Sequence, residues 1–431
     1  MPTIEKKLID LYFANLDLIE EGLPAAFNAH RREAIQSFHL TGLPTRRVEK
    51  YKYTDIRFRY EGDFEQFFTP VGRWNGQWQP LVEEAFVIRL LNGYAAGDEV
   101  LTVLENGIIF GSLRAAATAC PELISNYYNR LTDSESDPIA SLNTAFVQDG
   151  AFIYLPPKAI AEKPFVVLCG QDAPEDAQIY TRTLVVAEEN SEAKVILQSC
   201  PSDNCVFLEN RLSEWFVGEG ARIESVEVQA ANERSTLLTS HFVDQRAASR
   251  YLSLALTAGG SVIRNNTSVY LNGRGAESHL YGLFLAGEGE QADVYTNIDH
   301  RVADCVSYED FRGVASADGR GSFNGRIRVA PDAQRTQAFQ QNHNLLLSDG
   351  AVIHTKPQLE IYADDVKCSH GATVGRLDPQ AVFYMRQRGI GEAEARRLQL
   401  YGFARRLIDH LSLAPVAEVL DRLVAEKIEQ L

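Results

Sequence analysis

The chain has 431 residues, of which 45% are apolar and 23% charged, and its formal net charge is −16. This composition is typical of a soluble globular protein, and the length predicts two or three domains or one elongated repeat body. The excess of acidic residues argues against a nucleic acid or an anionic membrane surface as the main partner.

The first residues, MPTIEKKLIDLYFANL, carry charges throughout and therefore do not resemble a signal peptide. No apolar run approaches the roughly 18 residues that a membrane-spanning helix needs. The 6 cysteines are scattered along the chain, which predicts reduced thiols and a cytoplasmic location.

Residues 1–140 are predicted to form a mainly helical N-terminal domain with a few strands. Two segments, 3–22 and 24–42, carry apolar residues at helical spacing, and each ends in glycine. The next segment, GLPTRRVEKYKYTDIR (42–57), combines basic residues with tyrosines that could contact RNA. In so acidic a chain we interpret it as a structural connector. Strands are predicted around the Asn-Gly turns of AFVIRLLNGY and VLTVLENGIIFGSL.

Residues 141–366 repeat a simple unit, in which an apolar, β-branched run is followed by a small turn rich in Gly, Asn and Asp. Such turns lie near residues 188, 219, 258, 273, 287, 317, 331, 349 and 364. This spacing predicts strands of roughly four to six residues with a turn about every 15 residues. One short strand cannot bury its apolar face, whereas stacked coils form a continuous core. The pattern therefore favours a β-solenoid, or β-helix, over a β-sandwich.

Residues 367–431 are predicted to form a C-terminal helical domain. Asp378 is a predicted helix N-cap, Pro379 occupies the first helical position, and Gly389 ends the helix. Two further amphipathic helices follow. Three helices are too few to enclose a large core, so their apolar faces must pack against the solenoid or against another protein.

Cys368 and His370, in the segment DDVKCSHGATVG, are the candidates for a metal site. Residues two apart in a strand face the same side, so the thiol and the imidazole share one patch, with Lys367 beside them to stabilise a thiolate. Such soft ligands suit zinc, ferrous iron or an iron–sulfur cluster. A closed site needs four ligands, so a partner chain would have to supply the others. The spacing alone favours the alternative of a buried cysteine and a hydrogen-bonded histidine at the end of a solenoid.

The remaining cysteines are interpreted as structural. Cys200 and Cys205 are separated by four intervening residues with no further cysteine close by, and Cys305 near His300 also lacks a second pair of ligands. The sequence contains no G-x-S-x-G nucleophile motif and no G-x-x-x-x-G-K-[ST] phosphate loop. We therefore predict no catalytic and no cofactor-binding residue.

Several segments resemble one known family. The block from Arg320 to Asp378 is similar to the C-terminal hallmark of the SufB/SufD family of iron–sulfur cluster assembly proteins, and Gly42 to Ile56 is similar to its N-terminal signature. The matching residues are Phe323-Asn324-Gly325, Asp332-Ala333-Gln334, Asn344-Leu345-Leu346-Leu347-Ser348, Thr355-Lys356-Pro357, Glu360-Ile361 and Cys368 to Val374. Tyr51 or a neighbour stands where the family usually has tryptophan. Ser369 is typical of the SufD branch, since SufB proteins usually carry an acidic residue between the cysteine and the histidine.

The resemblance implies a right-handed parallel β-helix flanked by helical N- and C-terminal domains, in agreement with the predicted solenoid. It implies a non-catalytic scaffold that pairs with SufB through the β-helices and with the ATPase SufC through the C-terminal helices. Alone, the chain is expected to form a homodimer. A nascent iron–sulfur cluster would form at the SufB interface, with His370 and Cys368 as ligands from this chain, which would also support iron supply.

The resemblance further implies that the cluster is transient and confined to the complex, so the isolated chain is expected to hold no cofactor. Whether a flavin joins the complex is left open. ATP-driven closure of SufC would strain the two β-helices and open the interface around His370.

Two other functions are compatible with a β-helix. Polysaccharide lyases and esterases use acidic residues in a groove of this fold, and Asp364, Asp365 and Glu360 are candidates for that chemistry. The chain could also be a self-contained homodimeric structural protein. The missing secretion signal, the reduced cysteines and the helical tail argue against the enzyme.

Overall fold

The computed structural model describes residues 3–97, 100–132 and 137–431. In these residues the strands form two ten-stranded sheets, here named sheets A and B. From β5 onward the chain alternates between the sheets, so strands two apart in sequence are hydrogen-bonded neighbours. The predicted mainly-β solenoid with helices at both ends of the chain is confirmed.

Sheet A consists of β3 (Leu101–Val103), β4 (Ile109–Ser112), β5 (Gly150–Leu155), β7 (Ala177–Ala187), β9 (Phe207–Val217), β11 (Thr236–Gln245), β13 (Val262–Leu271), β15 (Gln291–His300), β17 (Arg320–Val329) and β19 (Val352–Ile361). Sheet B consists of β1 (Phe86–Leu91), β2 (Tyr94–Ala95), β6 (Phe165–Gln171), β8 (Glu192–Pro201), β10 (Arg222–Gln229), β12 (Arg250–Ala258), β14 (Glu277–Ala286), β16 (Val306–Ala315), β18 (Gln337–Leu346) and β20 (Lys367–Gly375).

One coil of the solenoid is two strands and two turns. In sheet B, Arg250 pairs with Glu277 and Glu309 with Gln340, offsets of 27 and 31 residues. The repeat of about 15 residues seen in the sequence is therefore half a coil. Every predicted turn lies between two strands, but the strands from β7 onward span eight to eleven residues rather than four to six. The predicted lengths were too short because they followed the apolar runs of the sequence. Polar residues at both ends of each strand continue the parallel pairing beyond these runs.

The interior of the solenoid is apolar with a buried ionic cluster. Trp215 of β9 joins the main apolar core, and Arg211 of the same strand points to the same side. The Arg211 guanidinium lies 2.9 Å from a Glu209 carboxylate oxygen and 3.5 Å from one of Glu227, and all three side chains are at most 5% exposed. Charges buried in this way are tolerated only when they are paired.

The N-terminal part covers the outer face of sheet A. Its helices are α1 (Ile4–Ala14), α2 (Leu16–Glu20), α3 (Ala25–Thr41), α4 (Leu113–Ala119), α5 (Pro121–Tyr127) and α6 (Pro138–Phe146). Arg31 of α3 donates to the backbone oxygens of Ala145 and Val147, at 2.6 and 2.5 Å, and so joins α3 to α6. The segment 42–57 also lies on sheet A, where Arg264 donates to the Thr54 hydroxyl at 2.7 Å. Its interpretation as a connector is supported by this packing.

The C-terminal helices are α7 (Pro379–Gln387), α8 (Glu392–Ile408) and α9 (Ala414–Gln430). The Asp378 carboxylate accepts a hydrogen bond from the backbone N–H of Gln380 at 2.8 Å, which confirms the predicted N-cap. Leu407 of α8 and Leu420 of α9 are buried in one cluster with outward-facing residues of sheet B such as Leu283. These two helices therefore pack on the side of the solenoid.

Five strands outside the predicted core range 141–366 also belong to the sheets, namely β1 to β4 and β20. Strand β1 pairs in parallel with β6, and β20 pairs in parallel with β18. The division into ranges 1–140, 141–366 and 367–431 stays a prediction. Across the described ranges, no helix is long and apolar enough to cross a membrane.

Candidate functional site

The candidate site lies at the C-terminal end of the solenoid. Strands β19 and β20 are the last members of sheets A and B, and in the described part of the chain each has a strand neighbour on one side alone. A strand in this position exposes a row of backbone N–H and C=O groups. The end of the solenoid is therefore open.

Cys368 and His370 both point toward the interior side of β20. In the parallel register, Cys368 pairs with Ala338 and His370 with Gln340. Ala338 belongs to the apolar core inside the solenoid, and Gln340 is buried on the same side of β18. His370 is nevertheless exposed and Cys368 half-buried, because no further coil covers them in the described residues. The two candidate ligands thus share the inner face of the open end.

The thiol of Cys368 is held in its neutral form. Burial raises its pKa above the ordinary value, and a hydrogen bond from the Ala338 backbone lowers it only in part. Lys367 points to the opposite face of β20, because adjacent residues of a strand alternate. Lys367 therefore does not share the face of Cys368, and the stabilisation of a thiolate by this lysine stays a prediction.

The chain by itself offers half of a metal site. Within the described ranges, no group of three or more His, Cys, Asp and Glu side chains is arranged to hold a metal ion. Cys368 and His370 remain two soft donors on one face, which fits a soft metal ion or cluster if other chains complete the ligand set.

Behind His370 lies a buried carboxyl that the sequence analysis missed. Gln340, the register partner of His370, donates to a carboxylate oxygen of Glu309 at 2.6 Å. Burial raises the pKa of Glu309 from 4.5 to about 7, and hydrogen bonds from Thr296 and Gln340 oppose this rise only in part. The sole signal in the sequence is a glutamate at an inward position of a strand, which requires the register to be recognised.

Cys200, Cys205 and Cys305 lie in the environment of buried thiols. Cys200 and Cys205 are buried, and burial raises the pKa of both thiols. The Cys305 thiol donates to the Gly273 backbone oxygen at 3.3 Å. His300 instead lies 2.8 Å from the Ser307 hydroxyl, and burial lowers its pKa to about 4. Their interpretation as structural residues stays a prediction.

Glu360, one of the acidic residues near the end of the solenoid, is engaged in an ion pair. Glu360 accepts two hydrogen bonds from Arg326, at 2.9 and 2.6 Å, and this pairing lowers its pKa. The backbone of Asp365 bonds to Arg335 and Gln334, in the turn that precedes β20. Glu360 is thus held in an ion pair between adjacent strands, an arrangement suited to stabilising the coil rather than to acid–base catalysis.

Comparison with known proteins gives consistent matches along the chain. Residues 2–167 match the N-terminal region of SufBD proteins, and residues 169–403 match the SufBD core domain of the SUF system for iron–sulfur cluster assembly. The chain is 30% identical to the iron–sulfur cluster assembly protein SufD of Escherichia coli over 386 residues, 88% of each chain. It is 27% identical to a SufBD family protein of Synechocystis, over 86% of this chain and 84% of the relative.

The SufD protein of Bacillus subtilis is 27% identical over 337 residues, 75% of each chain. The core model alone spans more than half of this chain, and the match to the Escherichia coli protein extends along most of both sequences. The chain therefore belongs to the SufB/SufD family of iron–sulfur cluster assembly proteins and is similar to its SufD members.

Proposed function

We propose that this chain is a non-catalytic scaffold subunit of a cytosolic iron–sulfur cluster assembly complex, and that a nascent cluster is held at the open end of its solenoid. Membership of the family supports the assembly function. The site rests on one observation: Cys368 and His370 share the inner face of a strand with a free edge. Six free thiols support a reducing compartment.

The cluster is the substrate of this site. The imidazole of His370 binds iron through a nitrogen lone pair, and the Cys368 thiol binds after losing its proton, which a nearby metal cation favours. Two donors leave the ligand set incomplete, so a second β-helix chain, SufB, supplies the others across the open end. In the isolated chain the same open end would pair with a second copy of the chain and form a homodimer. Iron delivered for cluster assembly would bind to the same two ligands, Cys368 and His370.

The C-terminal helices are the proposed docking site of SufC. Helix α7 has no buried residue, and Phe383 and Tyr384 on it are 63% and 59% exposed, as is Leu398 of α8 at 44%. Exposed apolar side chains of this size commonly mark a protein interface. Arg312 of sheet B donates to the Phe403 backbone oxygen of α8 at 2.6 Å. A movement that SufC imposes on the helices would therefore be transmitted to the sheet that contains His370.

The site is tested by anaerobic reconstitution of the complex with SufB and SufC, followed by Mössbauer spectroscopy. We expect His370→Ala to lower cluster formation by roughly tenfold, the order of effect seen when a metal-site residue is lost. His343→Ala is the matched control, since this imidazole is on the neighbouring strand and bonds to the Thr373 hydroxyl. Equal cluster formation in both variants would refute the role of His370.

The docking site is tested separately, by titration calorimetry of SufC against the full chain. Replacing both Phe383 and Tyr384 with serine should weaken SufC binding by tenfold or more, on the order of one interface hot spot. Phe58→Ser is the control, because Phe58 is 64% exposed but lies in the N-terminal part. If the control weakens binding as much as the double variant, SufC docks elsewhere.

A further inference from the structure

A recess of about 330 Å³ opens on the outer face of sheet A, where the connector crosses the last coils of the solenoid. The connector contributes Arg46, Lys52 and Tyr53 to its lining. Arg320 of β17 and His354 of β19 also line the recess. The recess is large enough for a small organic or inorganic ligand.

The recess holds cations without strong partners. Lys52 and Arg320 are exposed, and neither forms an ion pair with any carboxylate of the described residues. Among the described carboxylates, Arg46 pairs with that of Asp55 alone, at 3.7 Å, and this pair contributes little because both side chains are largely exposed. In a chain of net charge −16 this is a local concentration of positive charge. Such a site attracts anions.

One carboxylate lines the recess, but it is already engaged. Asp293 is 2% exposed and accepts hydrogen bonds from the Thr54 hydroxyl, the Gln291 amide and the Ser322 hydroxyl. Burial raises its pKa, although the nearby Arg264 lowers it in part. Asp293 therefore fixes the floor of the recess and does not neutralise the cations at its rim.

The walls are held in place before any ligand arrives. The Arg264 guanidinium lies 4.1 Å from the centre of the Tyr51 ring, on the connector. The Tyr53 ring stacks on His354 with 4.2 Å between ring centres and 11° between ring planes. The Gln291 amide donates to the Tyr53 backbone oxygen at 3.0 Å. A preformed site loses less conformational freedom on binding, which favours affinity.

We propose that this recess binds a small oxyanion with two or more negative charges, held by Lys52 and Arg320 beside the stacked Tyr53 and His354 rings. Phosphate compounds and polycarboxylates share this chemistry. The site is separate from the proposed cluster ligands, and it does not depend on the assembly function. A bound anion would join the connector to β17 and β19 and so stabilise the last coils.

Titration calorimetry of the full chain at low ionic strength tests the proposal, with pyrophosphate and citrate as separate probes. We expect saturable binding of at least one probe, weakened roughly tenfold by Lys52→Gln and by Arg320→Gln, since each removes a charged hydrogen-bond donor. Arg396→Gln is the matched control, because Arg396 is also exposed but lies on α8, away from the recess. Binding should also weaken as salt is added.

The two probes distinguish the sources of the ligand. Binding of pyrophosphate alone assigns the site to phosphate compounds, and binding of citrate alone assigns it to polycarboxylates. As a second measurement, the bound probe should protect the Lys52 amine from acetylation, read by mass spectrometry. The proposal is overturned if neither probe binds saturably, or if Arg396→Gln weakens binding as much as the two recess variants.

Discussion

Replacing Glu309 with glutamine should stabilise the protein at pH 8. The buried carboxyl has a pKa of about 7 in the folded chain, against an ordinary value of 4.5 that applies when the chain unfolds. Below pH 4.5 both states carry the proton and the residue has no effect. Between pH 4.5 and 7 only the unfolded state ionises, so the free energy of unfolding falls as the pH rises. Above pH 7 the carboxyl is ionised in both states, so the free energy of unfolding no longer changes with pH because of this residue.

The size of the effect follows from the two pKa values. Each pKa unit corresponds to about 1.4 kcal/mol, so the ionised carboxylate costs the folded state about 3 kcal/mol at pH 8. A glutamine keeps an oxygen that can accept the 2.6 Å hydrogen bond from Gln340 and carries no charge. Glu309→Gln should therefore raise the free energy of unfolding by about 3 kcal/mol at pH 8 and by less than about 1 kcal/mol at pH 5.

The assay is urea unfolding of the full chain, followed by circular dichroism at both pH values. Glu288→Gln is the control, because Glu288 lies exposed in the turn before β15 and its replacement should leave stability unchanged at either pH. A Glu309→Gln effect that is equal at pH 5 and pH 8 would refute the reasoning, since it would show that ionisation of Glu309 is not the cause.

Three further predictions concern anchoring, thiol chemistry and packing. Arg312→Ala removes the hydrogen bond to the α8 backbone and leaves the buried carboxylate of Asp310 without its partner. We expect the free energy of unfolding to fall by about 3 kcal/mol and backbone hydrogen exchange in α8 and α9 to become faster. Lys367→Gln should change the rate of Cys368 alkylation at pH 7.5 by less than about twofold, and a much larger drop would show that the lysine does stabilise the thiolate. Gly150→Ala places a Cβ 1.9 Å from a backbone oxygen of β7. It should lower the free energy of unfolding, measured in urea, by about 2 kcal/mol or more. Gly371→Ala is the control and should leave stability unchanged, because a Cβ at Gly371 meets no atom of the described residues within 4 Å, its chain neighbours aside.

The sequence predicts the turns of the solenoid well because turn chemistry is local. The Gly and Asn residues of a turn allow backbone angles that other residues avoid, and this does not depend on distant parts of the chain. Asn190 and Gly220, in two of the predicted turns, indeed have positive φ angles of 57° and 66°. The C-terminal helix beginning at Pro379 was predictable for the same reason, since its capping residue Asp378 is adjacent in sequence.

Strand length and the buried polar groups could not be predicted in this way. Arg211 is balanced by Glu209 and Glu227, which lie on two different sheets, and the register decides that the three meet. When a strand is predicted from its run of apolar residues alone, a charged residue within the strand is taken as the end of that strand. Glu309 was missed for the same reason. The pairing of Cys368 with His370 on one face did follow from strand periodicity, but the position of that face at an open end required the sheet topology.

The two free strands at the open end differ in how they are protected. Natural edge strands are commonly shielded by proline or by charged side chains. Strand β19 has both, since it contains Pro357 and a Glu360 that is paired with Arg326. Strand β20, KCSHGATVG, has small residues over most of its length and only Lys367 as a permanent charge. We therefore infer that a partner chain meets this end along β20, because a strand edge without such protection is open to pairing with another chain. This contact would place Cys368 and His370 at the interface.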